Sequence, residues 1–399
     1  MTGTPDVMPL MPIADAQAHL FAMAKPVEIA EVPLAGAAGR WAASDIYARR
    51  TQPASDLSAM DGYAIRFADL PGPWTMTGES AAGRPSAGTV GPGEAIRIFT
   101  GAAMPDGADT VIIQEEVDAD GATIRLTGEG PLTRGRNTRR RGLDFSDGDR
   151  IVVAGDRITP ARIAVMATAG VASLSVRRPV RVAICATGDE LVEPGSNNVG
   201  ALPESNRAML SAMFADLPVQ IVDLGILPDH LTTLRDAFAA VDTDVLVTTG
   251  GASVGDHDLV RPAIEAAGGV IDFWRIALRP GKPMMAGRLG STVVIGLPGN
   301  PVSAFVTALL FVKPLIAHLS GARNPLPHGT RIILGEDLPP NGGRTDYLRA
   351  EIRDGRAYAS TIQDSSMLLT LARSQCLIVR PIDAPAARAG DSAEILVVA

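Results

Sequence analysis

Three glycine-bearing turns, each closing an apolar run, constrain this chain more than any other feature. DVLVTTGGASVGDHD (244–258) is a β-branched run, then Gly250–Gly251, then a polar loop holding Asp256 and Asp258. RPGKP follows from Arg279 to Pro283, and STVVIGLPGNPVSAFVTALLF occupies 291–311. In this last stretch an apolar strand runs into Gly296–Leu297–Pro298–Gly299–Asn300. The pattern predicts a helix with Asn300 as N-cap and Pro301 at its first position. Apolar strands alternating with amphipathic helices belong in a sheet of parallel type covered on both faces. Ligands of such sheets bind beyond the carboxyl ends of the strands, where these turns would gather. Glycine lets the backbone approach a ligand, and a helix start offers unpaired N–H groups to an anion. Lys282 adds a full positive charge, and Asp256 and Asp258 offer hard oxygen donors to a divalent cation. The residues predict a pocket for a phosphorylated or oxyanionic ligand. One such turn alone is as often a plain connector; three together, with a lysine and paired aspartates, favour a site.

GGASVGDHD, RPGKP and GLPGNPVSA, in that order and spacing, resemble the molybdopterin-binding domain of the molybdenum-cofactor biosynthesis proteins. The wider chain resembles the larger members of that group, the bacterial molybdopterin molybdenumtransferases, which are related to the E domain of gephyrin. SAMDGYA (58–64), TGAAMPDGAD (100–109), TGDEL (187–191) and LPGNPVS (297–303) carry that wider likeness. Any one of these motifs is weak; the set is specific.

At 399 residues the chain has room for roughly two to four domains and a substantial core. A net charge of −8 argues against general nucleic-acid binding, although local patches still decide whether an anion can bind. Cys185 and Cys376 are the only cysteines, which leaves no disulfide framework and no cysteine zinc site. The longest apolar run, Val302 to Val312, stops at Lys313–Pro314, short of the ~20 residues that span a bilayer. With no basic segment ahead of an apolar one at the N-terminus, a cytoplasmic protein is expected.

The expected fold class is α/β plus β. Residues 1–51 and 143–178 form a discontinuous linker domain, and 52–142 an inserted small β domain of short strands and Gly/Pro turns. Residues 179–322 form the molybdopterin-binding α/β domain, and 323–399 a small C-terminal β-barrel or sandwich of five strands. A helix over 13–25 is expected to pack with a second, TPARIAVMATAG (159–170), capped by Thr159 and followed by Gly170. Another helix, after the strand at 219–224, would have Asp229 as its cap; Asp229 reads equally as that cap or as a ligand.

Read locally, Asp61 is a turn residue before Gly62. The resemblance makes it functional, together with Thr100 and Asp106. RGRNTRRRGLD (134–144) holds Arg134, Arg136, Arg139, Arg140 and Arg141. Such a run is either a solvated face or a guanidinium set for phosphate or molybdate. The family commonly has Glu-Asp after the Arg-Gly; here it is Leu143–Asp144, so only Asp144 carries over. In the C-terminal region Arg344, Arg349 and Ser365–Ser366 are candidates, although the turn Asp364–Ser–Ser–Met departs from the family's pattern. Arg279 stands where a lysine is common. None of the five histidines forms a ligand pair, and His257 is expected to face solvent.

The resemblance implies insertion of molybdate into the dithiolene of adenylyl-molybdopterin, with release of AMP. It places Asp61, Thr100, Asp144, Glu190, Asp258 and Lys282 in catalysis. It gives substrate contacts to Thr187, Gly188, Asp189 and Asp229, then to Gly250, Gly251 and Ser253 of the first glycine turn. Arg279 and Pro283 flank Lys282 in that role, Pro298, Gly299, Asn300, Pro301 and Ser303 follow, and Arg349 and Ser366 come from the C-terminal domain. Breaking a phosphoanhydride calls for Mg2+ or another divalent cation, assigned to Asp189, Glu190, Asp229 and Asp258. The implied assembly is a homodimer with each site shared between subunits. A molybdopterin adenylyltransferase and acceptor molybdoenzymes are possible partners, with no nucleic acid and no membrane. Two alternatives stay open: an adenylyltransferase for the same pterin, disfavoured by the extra β domains, and a non-catalytic gephyrin-like scaffold, disfavoured by the intact acidic set.

Overall fold

The computed structural model describes residues 10–198, 200–250 and 258–398. Its centre is a six-stranded sheet ordered Val219–Leu227, Val180–Thr187, Val245–Thr249, Thr292–Leu297, Pro283–Leu289, Val270–Arg275. The first four strands are parallel. The last two are antiparallel, so the sheet is mixed, which corrects the parallel-type expectation. The cause is local: only Gly290 and Ser291 separate Leu289 from Thr292, and a two-residue loop can join only antiparallel strands.

Alternate residues of the central strands enter two cores. Val180, Val182, Ile184, Val245, Val247, Val293 and Ile295 face one side. Ala183, Cys185, Leu246 and Val294 face the other, under Leu234, Phe238, Ala263 and Ile264 of two helices. Both faces are covered, which is why these strands read as unbroken apolar runs.

The main covering helix is continuous from Pro301 to Leu319, longer than the apolar run suggested. It is 19 residues long and apolar, and 83% of its most apolar window is buried, as a core helix requires. It passes through Lys313–Pro314 by opening a π turn over Ala308–Val312. Pro314 has no N–H to give the carbonyl of Leu310 four residues earlier, and Gln17 Nε2 donates to that oxygen instead, at 2.8 Å. The first helix, Ile13–Ala22, therefore belongs to this core: Ala16 and Leu20 pack with Leu315, Ile316 and Leu319. This corrects its expected partner. The helix Pro160–Thr168, capped by Thr159 as expected, packs instead on the linker strands, with Met166 among Ala37, Ala42 and Leu174.

In that linker unit Ile29–Pro33 pairs with Ser173–Arg177, and Ile46–Tyr47 with Arg150–Val152. Between them lies an open half-barrel ordered Thr110–Ile113, Gly62–Ile65, Glu94–Ile98, Trp74–Ser80, Thr123–Leu126, Val117–Asp120, with its own core around Trp74 and Ile124. The C-terminal strands close a five-stranded barrel, because Thr345–Arg353 pairs with both Arg356–Ala359 and Cys376–Arg380. Thr330–Leu334 and Ser392–Val397 complete the ring. The short strand Leu278–Arg279 joins Thr345–Asp346 and stitches the barrel to the α/β unit. The barrel also carries a helix, Leu368–Arg373, that the strand-by-strand reading passed over.

Candidate functional site

The three strand-end turns of the α/β unit meet through their backbones. A Cβ added to Gly250, whose φ is +89°, would lie 2.6 Å from the Thr187 carbonyl oxygen. One added to Gly299 would lie 3.6 Å from the Gly250 Cα. A side chain is thus excluded at Gly250, where the TGDEL and GG turns touch, while Gly299 of the GLPGN turn lies in ordinary van der Waals contact with it. Gly251, Ser253, Asp256 and His257 lie outside the described residues. Gly188, with φ +146°, has the Glu190 carboxylate folded over it: a Cβ there would be 2.7 Å from Glu190 Oε2.

Around this junction the carboxylates crowd. The Asp229 backbone N–H donates to Asp189 Oδ1 at 3.0 Å. Burial, reinforced by the negative charges of Asp189 and Glu190, holds the Asp229 carboxyl above the ordinary aspartate range. Asp229 is not a helix cap: the helix is Leu231–Ala239, with His230 at the cap position and no side-chain cap bond. That removes the cap reading of Asp229. Asp258 is tied locally, its Oδ1 accepting the Val260 N–H at 3.2 Å at the start of the helix Val260–Ala266. Among the described residues no three acidic, histidine or cysteine groups are arranged as a ready metal cage.

Lys282 and Pro283 leave the RPGKP turn as it enters the Pro283–Leu289 strand. Lys282 is half-buried and makes no ion pair among the described residues, while its carbonyl accepts the Ile276 N–H at 2.8 Å. Arg279 is different. Its guanidinium pairs with Asp346 of the barrel, while its side chain stays 54% exposed. Strand pairing of Arg279 with Asp346 brings the two together.

The start of the long helix is also occupied. Asn300 stands at the N-cap position but makes no cap bond; its Nδ2 donates to Ser365 Oγ at 3.1 Å. The Val302 N–H donates to the Ser365 carbonyl oxygen at 3.1 Å. The barrel turn thus takes a donor that the sequence suggested was open to an anion, with Pro298 and Gly299 before it, Pro301 at the first helical position and Ser303 buried within the first turn. Ser366 does not point to the same helix. Its N–H and Oγ bond Asp364 Oδ1 at 2.9 and 2.6 Å, and these bonds hold the Asp364 carboxyl below its usual range. Arg349 is only 1% exposed, and Nη1 donates to the Met367 carbonyl at 3.1 Å. Burial lowers its pKa, and Nη2 is left without a partner. It is placed to hold the turn that carries Ser365 rather than to meet solvent.

The second group lies in the half-barrel. The backbone N–H and Oγ1 of Thr100 both donate to Asp61 Oδ1, at 2.7 and 2.8 Å, and lower the Asp61 pKa. Asp144 is exposed, on a segment whose N–H bonds the Gln52 carbonyl. Asp106 is exposed, with only its carbonyl engaged, by the Val90 N–H. The arginine run is divided. Arg134 pairs with Asp109 at 2.8 Å and Arg141 Nε bonds the Ala54 carbonyl, whereas Arg136, Arg139 and Arg140 make no ion pair among the described residues. Asn206 and Arg207, which the sequence reading passed over, stand beside the first group: Asn206 Nδ2 donates to the Gly299 carbonyl at 2.9 Å. The signal for them was a Glu-Ser-Asn-Arg string opening a helix next to the TGDEL turn.

Comparison with known proteins agrees with this layout. Residues 11–170 match the family described as MoeA N-terminal region (domain I and II). Residues 183–318 match the probable molybdopterin binding domain, and 331–398 the MoeA C-terminal region (domain IV). A molybdopterin molybdenumtransferase of Haemophilus influenzae is 35% identical over 382 residues, 93% of this chain and 94% of the relative. Molybdopterin molybdenumtransferase 2 of Mycobacterium tuberculosis is 33% identical over 343 residues, 82% of this chain and 84% of the relative. The crystal structure of a molybdopterin biosynthesis moeA protein from Pyrococcus horikoshii superposes with a TM-score of 0.83 at 28% identity, covering 98% of this chain and all of the other. With three domain matches in order and relatives above 30% identity over most of its length, the chain belongs to the molybdopterin molybdenumtransferase family of transferases.

Proposed function

We propose that this protein inserts molybdate into the dithiolene of adenylyl-molybdopterin and releases AMP. The observation that carries the reading is the backbone junction of Thr187, Gly250 and Gly299 next to the crowded carboxylates of Asp189, Glu190 and Asp229. A phosphorylated ligand approaching those glycines would meet backbone rather than side chains, and Lys282 would hold an oxyanion by charge. Asp189, Glu190, Asp229 and Asp258 fit a divalent cation, since Asp229 carries a like-charge burden that a cation would relieve. When bound, that ion would neutralise phosphate charge as the anhydride breaks. Because the carboxylates are not caged around one point, substrate and cation would assemble the set together. The dithiolene brings its own sulfur, so the buried thiols of Cys185 and Cys376 have no part in the reaction. Those free thiols suit a reducing cytoplasm.

We further propose a homodimer in which Asp61, Thr100 and Asp144 of one subunit face the α/β site of the other. Asp61, fixed by Thr100 and kept ionised, would meet the substrate across that interface. Supply of substrate by an adenylyltransferase and delivery to a molybdoenzyme are the expected neighbouring steps. The direct test is incubation of the protein with adenylylated molybdopterin, molybdate and Mg2+. AMP release with formation of a molybdenum-bearing pterin is the expected result. Binding of the pterin without AMP release would point to the scaffold reading.

A further inference from the structure

We propose that Arg207 is a positioning residue that holds the two acidic turns of the site, Asp189–Glu190 and Asp229, in fixed relation. This rests on the proposed reaction only for its consequence in turnover, not for its geometry. Arg207 opens the helix Asn206–Phe214, and its guanidinium is almost wholly buried. All three of its nitrogens are engaged by carboxylates from different segments. Nε meets Glu204 at 3.2 Å, Nη1 meets both oxygens of Asp223 at 2.8 and 2.9 Å, and Nη2 meets both oxygens of Glu193 at 2.6 and 2.7 Å.

Each arm leads to the site. Glu193 follows Leu191–Val192, the short strand that leaves the Asp189–Glu190 turn and pairs with Leu202–Pro203. That ladder is closed by the Leu202 N–H on the Glu190 carbonyl and the Glu204 N–H on the Val192 carbonyl, both 2.9 Å. Asp223 lies where the Val219–Leu227 strand slips register: Ile184 faces Asp223 but Ala186 faces Ile226. The extra residue is a bulge, and bulges re-aim the strand beyond them. Gly225, at φ +77°, completes it, with its N–H on Asp223 Oδ1 at 2.9 Å and Arg207 Nη1 3.9 Å from where a Cβ would stand. Four residues further on is Asp229. One guanidinium therefore clamps the strand that leaves one acidic turn and the bulge that aims the other. Its neighbour Asn206, 7% exposed, reaches the Gly299 carbonyl and ties the same helix start to the third turn.

Stability alone does not explain this placement. A buried charge cluster contributes little net folding energy compared with a packed apolar side chain, but it fixes geometry. What the clamp would fix is visible in the bond that joins the two turns, the Asp229 N–H on Asp189 Oδ1 at 3.0 Å.

The test compares the full chain with Arg207→Lys, Glu193→Gln and Arg178→Lys. Arg178 is a control of the same kind: it binds Asp244 and Glu28 at the amino ends of the same sheet, away from the site. Arg207→Lys keeps the charge but loses the fork. It should lower kcat for AMP release by about ten- to hundredfold, as small misplacements of reacting groups do. KM should stay within about twofold. Glu193→Gln should cost about threefold, since the Glu193 side chain is 63% exposed. Arg178→Lys should stay within about twofold of the parent, because effects at distant sites are independent. Amide exchange gives a second reading, independent of turnover. Arg207→Lys should speed exchange at Leu202, Glu204 and Gly225 while leaving Val247 and Val294 unchanged. A folded Arg207→Lys with normal turnover, or with a loss matched by Arg178→Lys, overturns the proposal. If the parent chain releases no AMP, the proposed reaction falls, and unchanged exchange in Arg207→Lys then overturns the clamp by itself.

Discussion

The α/β site and the half-barrel pair Asp61–Thr100 are held by different means. In the first, strand ends of a sheet buried on both faces bring three turns into contact, so that Gly250 has no room for a side chain. In the second, a carboxylate is fixed by two hydrogen bonds from a single exposed threonine, over a separate small core. The first arrangement is a junction of backbone turns. The second is a single carboxylate held in one orientation on the half-barrel. The proposed shared site would set the second against the first across a subunit interface.

If that contrast is right, the largest effect belongs to the backbone junction. Gly250→Ala would place its Cβ 2.6 Å from the Thr187 carbonyl, at φ +89°, and should remove AMP release. A loss on the order of a hundredfold or more is expected, because the reacting groups would be displaced. The same substitution at Gly83, φ +77° with open space around it, should cost only stability. Equal activity loss at both would show that the junction is not special.

A middle effect is expected at Lys282. If it acts by charge, Lys282→Arg should keep roughly a tenth or more of the turnover and Lys282→Ala about a hundredth. Initial rates across molybdate concentration would measure this; equal loss in both variants would mean that geometry decides.

The smallest effect is a pH dependence. The Asp229 carboxyl is raised in the folded chain, so it gives up its proton more readily when unfolded. Its contribution therefore opposes folding as pH climbs from about 4 through the raised folded value, and vanishes below that window. Asp229→Asn should raise the unfolding midpoint by on the order of 1–2 °C at pH 7 and by nothing at low pH, while abolishing turnover. An unchanged midpoint at pH 7 would show that the acidic crowding is relieved in some other way.

Much of this was legible because glycine and proline announce backbone requirements directly. The strand ends at Thr187 and Thr249 followed from apolar runs stopped by glycine, whereas the third strand runs through Gly296 to Leu297. What was not legible depended on contacts distant in sequence. Nothing near Arg279 points to Asp346, 67 residues on, and nothing near Val302 points to the carbonyl of Ser365. Arg349 reads as a surface cation until the barrel closes over it. The first helix was misassigned for a related reason: its partner is a carbonyl orphaned by Pro314, nearly 300 residues away. Asp229 looked like a cap because aspartate before a helix usually is one; the helix starts one residue too late for it.

The most direct test of the shared site mixes two inactive chains, Asp61→Asn and Asp258→Asn, under conditions where subunit exchange is shown to occur. Each mixed dimer would hold one cleft with both lesions and one with neither. Random mixing in equal amounts should then restore about a quarter of the parent activity. A mixture that exchanges subunits and still releases no AMP would contradict the account, because each chain would have to supply both groups to its own site.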